Sequence, residues 1–285
     1  MNVMPLPLLE ALRTRSVVAD GAMGTELYAR ALGFETCFEA LNVRCPDLIT
    51  SIHRAYVDAG AEVIETNTFG ANAPRLHAHG LEHCVRSFNH AAVKLARAAR
   101  PTYVVGALGP TGSSRDVIRA TRAFLAEQAL ALSEAGVDAL LVETMCTLDE
   151  AEAALEGALD GASGRVPVLV CRSLNAPGTL NDGTTPGAAA KRLAALGAQA
   201  VGINCGMGLS GVLEAMEEMS STHLPLIAMP SAGLPQKRGD RLEYPVTPAD
   251  FGAWAVSLCS PVLVGGCCGT TPAHITELAR RLEGP

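Results

Sequence analysis

The sequence predicts an α/β fold of the (β/α)8 TIM-barrel class, organised as a single domain over residues 1–285. Short apolar or β-branched runs recur eight times along the chain, and segments with helical periodicity separate them. The length of 285 residues lies within the range of one such barrel. No Pro/Gly-rich or charged linker divides the chain, so we expect one domain.

The eight strands are predicted from the apolar runs, in chain order. We expect them at residues 17–20, 62–66, 103–107, 139–143, 168–172, 200–204, 226–229 and 262–265. After the second strand, one helical stripe carries Val85, Phe88, Ala92 and Leu95. After the sixth strand, a similar stripe carries Val212, Leu213, Met216 and Met219. Strands and helices in regular alternation are the pattern of a parallel barrel.

The two longest irregular stretches, 176–186 and 230–248, both follow predicted strands. In a barrel of this class, such segments lie at the C-terminal face, where active sites are found. Pro235 and Gly239 make the second stretch a candidate mobile lid over that face.

Composition and charge narrow the classes of partner. The apolar fraction is 48% and the mean hydropathy is +0.23, which allows a large core. The net charge of −7 and the lack of long basic runs argue against nucleic acid. We recognise neither a signal peptide nor an apolar run long enough for a membrane span. With nine cysteines, an odd number, we expect a cytoplasmic protein whose thiols are reduced or bind metal.

Five predicted strands end in acids, amides or thiols. These residues are Asp20, Glu65, Thr66, Asn67, Glu143, Asn204, Cys205, Cys267 and Cys268. Parallel strands bring their carboxyl ends to one face, so we expect these side chains to cluster there. Four members of the set either bind a ligand or brace the barrel mouth: Glu65, Thr66, Asn67 and Asn204.

The thiols carry the most specific signal. Three thiolates from Cys205, Cys267 and Cys268 form a soft, zinc-selecting site with one coordination position open, which suits a thiol substrate. Adjacent side chains in a strand point apart, so both thiols of the Cys267-Cys268 pair reach one metal only where the strand ends. The flanking Gly266 and Gly269 allow that turn. Two alternatives stay open: buried thiols without a ligand, and a vicinal disulfide.

Asp20 to Met23 and Glu143 are candidates for binding an amino acid. Backbone N–H groups of Gly21, Ala22 and Met23 can hold a carboxylate, and an ordinary tight turn is the alternative. Glu143 ends a strand among apolar residues, where a carboxylate needs a cation. A substrate ammonium and an arginine of the protein would both serve.

Four segments resemble the motifs of the homocysteine S-methyltransferase family, in the family's order and over nearly the whole chain. They are Asp20-Gly21-Ala22-Met23-Gly24-Thr25, Glu65-Thr66-Asn67-Thr68-Phe69-Gly70-Ala71-Asn72, Gly202-Ile203-Asn204-Cys205 and Gly265-Gly266-Cys267-Cys268-Gly269. The resemblance implies a homocysteine-binding, zinc-dependent barrel that activates homocysteine as a zinc-bound thiolate and methylates it to methionine. It implies Cys205, Cys267 and Cys268 as the Zn2+ ligands, and Glu143 as the carboxylate for the substrate amine.

The resemblance and the rim residues together give an expected set of substrate contacts. The set comprises Asp20, Gly21, Ala22, Met23, Thr66, Asn67, Glu143 and Asn204. Three thiolates on a divalent ion leave the site with a formal charge of about −1, which keeps a bound thiol electron-rich and nucleophilic.

Residues 65–69 and 232–235 most resemble the homocysteine-binding module of cobalamin-dependent methionine synthases. They also resemble the module that is fused to methylenetetrahydrofolate reductase in some bacteria. This implies a methylated cobalamin or folate donor, carried by another domain or protein, and S-methylmethionine stays open as a donor. The chain is then a stand-alone enzyme or one module of a larger protein.

Alternative functions make different predictions for the same residues. A non-catalytic zinc-stabilised barrel predicts a fourth protein ligand, and a thiol redox protein predicts a disulfide at Cys267-Cys268. A phosphate-handling barrel lyase predicts a Gly-rich phosphate loop after the last strands. Here Gly265-Gly266 leads into two thiols instead, which favours the methyltransferase prediction.

Overall fold

A barrel of eight parallel strands is present, as predicted, in the computed structural model, which describes residues 5–30, 35–112, 115–176, 179–238, 241–258 and 262–282. The barrel strands are β1 (Val17–Val18), β2 (Val63–Glu65), β3 (Tyr103–Leu108), β4 (Ala139–Met145), β5 (Val168–Arg172), β8 (Ala200–Cys205), β9 (Leu226–Pro230) and β12 (Val262–Val264). The remaining strands form two hairpins, one of β6 (Leu174–Ala176) with β7 (Thr179–Leu180) and one of β10 (Gln236–Arg238) with β11 (Arg241–Glu243).

The first and second strands close the barrel. The sheet runs in the order β1, β12, β9, β8, β5, β4, β3, β2, and every neighbouring pair is parallel. Ala19 forms a parallel bridge with Val63, and the N–H of Asp20 donates to the Val63 carbonyl at 3.0 Å. The carboxyl ends of all eight strands therefore meet at one mouth.

The first helix precedes β1 and adds Leu8 and Leu12 to the cluster inside the barrel, whereas the other helices follow barrel strands and cover the outside. In chain order, the helices are α1 (Leu8–Leu12), α2 (Met23–Ala29), α3 (Leu41–Arg44), α4 (Pro46–Asp58), α5 (Ala73–His77), α6 (Val85–Ala98), α7 (Arg115–Ala135), α8 (Leu148–Ala162), α9 (Pro186–Ala195), α10 (Val212–Ser220), α11 (Pro248–Ala255) and α12 (Pro272–Leu282). Thr147, Thr185 and Thr247 cap α8, α9 and α11 through their hydroxyls. Among the described helices, none combines the length and the apolar character that crossing a bilayer requires.

Apolar side chains fill the barrel lumen below the mouth. Val63, Leu141, Cys171 and Met229 belong to this inner cluster, whereas a separate outer core lies between the strands and the helices. Side chains alternate across a strand, so Glu65 continues the inward series begun by Val63. Among the described residues, the cluster below the mouth therefore contributes no charged group.

Strand β5 has the predicted bounds, and the bounds of the other barrel strands differ from the predicted ones by one or two residues. Larger differences lie in the two stretches predicted to be irregular, since 176–186 contains β7 and 230–248 contains the β10–β11 hairpin. Its polar run Gln236, Lys237, Arg238 lacks the apolar alternation that signals a strand. Gly239 lies outside the described residues, so the lid stays a prediction.

Candidate metal and amino-acid site

The three predicted thiols converge at the mouth of the barrel. The sulfurs of Cys205, Cys267 and Cys268 all lie within 4.8 Å of one another, and Cys205 Sγ is 3.8 Å from Cys268 Sγ. All three are free and partly buried. The vicinal disulfide considered above is thus not formed, and within the described ranges no fourth His, Cys, Asp or Glu joins the group.

The spacing of the sulfurs matches that of a tetrahedral metal site. Two thiolates at about 2.3 Å from zinc and at the tetrahedral angle lie about 3.8 Å apart. Cys205 Sγ and Cys268 Sγ have this separation. Three soft donors with one side open are the ligand set that favours zinc over harder cations.

Backbone geometry aims the sulfurs at one point. Cys205 has φ 58°, a left-handed conformation that turns the chain at the end of β8. Cys267 donates its N–H to the Pro230 carbonyl at 2.9 Å, and the Cys268 carbonyl accepts from the N–H of Ala232 at 2.8 Å. The adjacent thiols are thus fixed by the segment that follows β9.

Gly269 completes this turn, as predicted from the conformational freedom of glycine. It has φ +81°, and a Cβ at this position would lie 2.1 Å from Tyr244 Cγ. Tyr244 is therefore packed directly on the turn that carries Cys268. Burial raises the pKa of Tyr244 to about 12, and the negative charge of Cys268 and its neighbours adds to the shift. No local sequence pattern predicts this long-range contact.

The cluster stabilises one thiolate among the three sulfurs. Hydrogen bonds from Cys267 and Cys268 lower the pKa of Cys205 to about 2, and the hydroxyl of Ser231 also donates to Cys205 Sγ at 3.5 Å. The same contacts raise the pKa of Cys268 to about 12 and that of Cys267 well above its ordinary value. A divalent ion would displace the two remaining protons, as metal binding to thiols does.

Glu143 lies in the mouth and is held by an amide. Asn204 Nδ2 donates to Glu143 Oε2 at 2.8 Å, and the Thr144 hydroxyl donates to the same oxygen at 3.3 Å. Asn204 Oδ1 in turn accepts from the N–H of Thr144 at 2.8 Å. The β4–β5 register shifts between Val142 and Met145, and such a bulge re-aims side chains near active sites.

Two further carboxylates share this environment. Asp20 Oδ2 accepts from the N–H of Glu65 at 3.0 Å, and Glu65 is hydrogen-bonded to the Glu143 carboxylate. Burial is the main cause that raises the pKa of all three, to about 7 for Glu143 and well above the ordinary range for Asp20 and Glu65. Sequence reasoning left Glu65 among bracing groups, although its alternation with Val63 was a usable signal.

The Gly21–Met23 turn lies beside the end of β12. A Cβ on Gly21 would meet Thr270 Oγ1 at 2.7 Å and Tyr56 Cε1 at 2.9 Å, so only glycine fits. The N–H of Ala22 donates to Thr270 Oγ1 at 3.2 Å, which engages it within the protein. Met23 begins α2. A carboxylate contact with this turn stays a prediction.

Thr66 and Asn67 make bonds within the protein. Thr66 Oγ1 lies 2.6 Å from Thr68 Oγ1 and accepts from the N–H of Ala107 at 3.2 Å. Asn67 Nδ2 donates to the Phe38 carbonyl at 2.8 Å and to Asn42 Oδ1 at 3.1 Å. These contacts correspond to the bracing role that the sequence left open, and their substrate contacts remain a prediction.

The chain is similar in sequence to a known protein family and to two curated proteins. The sequence profile of the family described as homocysteine S-methyltransferase matches residues 17–282. Methionine synthase of Mycobacterium tuberculosis is 36% identical over 298 residues, covering 95% of this chain and 25% of that protein. Methionine synthase of Mycobacterium leprae is also 36% identical, with the same 95% and 25% coverage. The chain spans about a quarter of the length of these curated relatives.

Solved structures agree with this match. The homocysteine methyltransferase MmuM from Escherichia coli, in its oxidized and its metallated form, superimposes with a TM-score of 0.81. It is 29% identical to this chain, and the match covers 97% of this chain and 100% of that chain. A protein of this fold and similarity therefore exists in a form that holds metal.

Proposed function

The chain belongs to the homocysteine S-methyltransferase family, and from that premise we propose that it methylates the sulfur of homocysteine at a zinc site formed by Cys205, Cys267 and Cys268. The observation that carries this proposal is the convergence of three free sulfurs beside buried carboxylates at the open mouth. We propose that residues 1–285 act as one homocysteine-binding barrel.

The ligand set supports zinc as the metal. Three sulfurs within 4.8 Å of one another, one pair of them at the tetrahedral spacing of 3.8 Å, with no fourth candidate ligand among the described residues, leave room for one more donor. When bound, zinc supplies a position at which a thiol loses its proton at neutral pH and remains a nucleophile. An ordinary thiol, with a pKa of about 8.5, is only a few per cent ionised there.

The chain's own residues position the amino acid. Glu143 and Asp20 hold the ammonium group, and N–H groups of the Gly21–Met23 turn hold the carboxylate. Asn204 keeps Glu143 oriented through the 2.8 Å bond to Oε2. Fixing both ends of the amino acid aims its sulfur and removes the entropic cost of a random encounter.

The proposed methyl transfer is a displacement at the methyl carbon of the donor. The thiol proton leaves to solvent, and the sulfur lone pair forms the new S–CH3 bond as the donor–CH3 bond breaks. The bonding electron pair stays with the donor. The product thioether is uncharged at sulfur and a weak ligand, so it is released.

The donor is proposed from the resemblance to methionine synthases. We propose a methyl group presented on cobalamin or folate by another domain or protein, with S-methylmethionine as the alternative donor. The 36% identity to two methionine synthases supports the first, since the chain spans only a quarter of their length.

A donor panel tests the function. Zinc-loaded protein is incubated with homocysteine and, in turn, methylcobalamin, methyltetrahydrofolate, S-methylmethionine and betaine, each with and without a chelator. We expect methionine from at least one donor and its loss on chelation. Thiol oxidation without methyl transfer would favour a redox protein. Homocysteine that neither binds nor reacts would favour a non-catalytic barrel.

A further inference from the structure

Three carboxyl groups at the barrel mouth, Asp20 and Glu143 buried and Glu65 partly buried, have no cationic partner among the described residues. Within the part of the chain that the structure describes, Asp20, Glu65 and Glu143 form no ion pair with arginine, lysine or histidine. Buried charges are normally paired, because moving a charge out of water without an oppositely charged partner is strongly unfavourable. A cation from outside the chain would stabilise the ionised form of these groups, which burial alone disfavours.

Individual oxygens of the cluster show where that partner is needed. Asp20 is 4% exposed, and its Oδ1 atom is buried without any hydrogen-bond partner. Glu65 Oε1 is likewise buried and accepts from no N–H or hydroxyl donor of the described residues, and the one hydrogen bond of the Glu65 carboxyl is to the Glu143 carboxylate. By contrast, Glu143 Oε2 accepts from both Asn204 and Thr144. Burying an acceptor without a hydrogen bond is unfavourable, and N–H groups of a ligand can offset this cost by donating to it.

The cation can reach the cluster only from the mouth. Below it, the lumen is filled by apolar side chains and by the fully buried Cys171, whose thiol pKa burial raises well above its ordinary value. A neutral thiol and hydrocarbon offer no charge. The sulfur cluster of Cys205, Cys267 and Cys268 lies at the same mouth, because these residues stand at or after the carboxyl ends of β8 and β12, as Glu65 stands at that of β2.

We propose that Glu65 completes a three-carboxylate receptor for a primary ammonium and thereby makes the site select α-amino thiols over thiols that lack the amine. This proposal rests on the proposed function and adds a residue to it. A primary ammonium has three N–H donors, as a lysine side chain does. Asp20 Oδ1, Glu65 Oε1 and the Glu143 carboxylate supply the acceptors.

Selectivity follows from what an analogue leaves unpaired. A thiol acid without the amine, such as 4-mercaptobutyrate, leaves the buried oxygens of Asp20 and Glu65 without partners. Sites that are built to bind a polar group reject analogues lacking it more strongly than apolar pockets reject a missing methylene. Glu65 thus contributes to substrate selectivity, whereas Cys205, Cys267 and Cys268 form the site at which the thiol reacts.

The test compares two thiols by titration calorimetry on zinc-loaded protein. Glu65→Met removes both acceptor oxygens and fits the apolar lumen. We expect homocysteine affinity to fall about 10- to 100-fold, with 4-mercaptobutyrate affinity unchanged. Glu65→Gln keeps one carbonyl oxygen and should bind homocysteine more tightly than Glu65→Met.

A matched control lies on the same segment at the opposite end of the barrel. Glu62 pairs with Arg15 at 2.6 Å, and Glu62→Met should leave both affinities unchanged. Equal loss for both thiols in Glu65→Met would mean a purely structural role and would overturn the proposal, as would no loss at all. If the unaltered protein bound neither thiol, the proposed function itself would fail.

Discussion

Asn204 ties the metal site to the amino-acid site through Glu143. Its Nδ2 donates to Glu143 Oε2 at 2.8 Å, and the next residue in the chain is Cys205. One strand end therefore sets the position of both a candidate ligand and the candidate ammonium-binding carboxylate. Movement of β8 would disturb both groups together.

Replacing Asn204 should weaken substrate binding while zinc is retained. Asn204→Ala removes the donor to Glu143 and the acceptor for the Thr144 N–H. We expect the homocysteine KM to rise about tenfold. Steady-state kinetics and zinc analysis provide the measurement. Gln199→Ala, at the other end of β8, should leave KM unchanged; equal effects of the two variants would refute the link.

Ser231 should support the zinc site through Cys205. Its hydroxyl donates to Cys205 Sγ at 3.5 Å, and groups that orient a metal ligand contribute to metal affinity. Ser231→Ala is expected to lower zinc affinity about tenfold, measured by competition with a chelator. Ser220→Ala, whose hydroxyl binds only the Glu217 carbonyl, is the control. An unchanged affinity in Ser231→Ala would contradict this role.

Gly269 should be sensitive to a single methyl group. Gly269 and Gly136 have φ values of +81° and +89°, but only a Cβ on Gly269 meets Tyr244. Gly136→Ala should cost about 1 kcal/mol from backbone strain alone. Gly269→Ala should cost more and also lose zinc, as measured by urea unfolding and metal analysis. Equal losses in stability with zinc retained would show that the Tyr244 contact is unimportant.

Glu143 should give the metal-free protein a measurable dependence on pH. Burial first, and the charge of Cys205 second, raise its pKa to about 7, from a value near 4.5 when unfolded. Between these values the folded state holds a proton that the unfolded state has released. The stability due to this group is therefore present at low pH and falls as the pH rises towards 7.

Urea unfolding at pH 5 and pH 8 measures this difference. The unaltered protein should lose more free energy of unfolding between the two than Glu143→Gln does, by an amount on the order of 2 kcal/mol. Comparing variants cancels the titration of groups that do not interact with Glu143. Glu62→Gln should behave like the unaltered protein. The same pH dependence in Glu143→Gln would contradict the raised pKa.

The sequence anticipated the barrel and the meeting of the three sulfurs for one physical reason. Parallel strands bring their carboxyl ends to one mouth, so strand-end residues such as Cys205 and Cys267 are placed by topology alone. The order of strands and the closure at Ala19 and Val63 agree with that reasoning. Local sequence patterns were sufficient to predict the position of a residue wherever the strand that carries it determines that position.

Other contacts depend on partners distant in sequence and were not predictable. Asn67 is bound by Asn42 and Phe38, and Tyr244 packs on Gly269, although no local pattern marks either pair. The polar hairpin β10–β11 lacked an apolar alternation. Glu65 could have been found, because Val63 two residues earlier fixes its side of the strand.

Zinc K-edge X-ray absorption, before and after addition of homocysteine, tests the central claim most directly. The account predicts three sulfur ligands at about 2.3 Å from zinc in the free protein, and four once homocysteine is bound. It also predicts fewer than three in Cys205→Ala and three in Cys146→Ala, whose thiol lies outside the sulfur cluster. A sulfur count that does not change on adding homocysteine would contradict it.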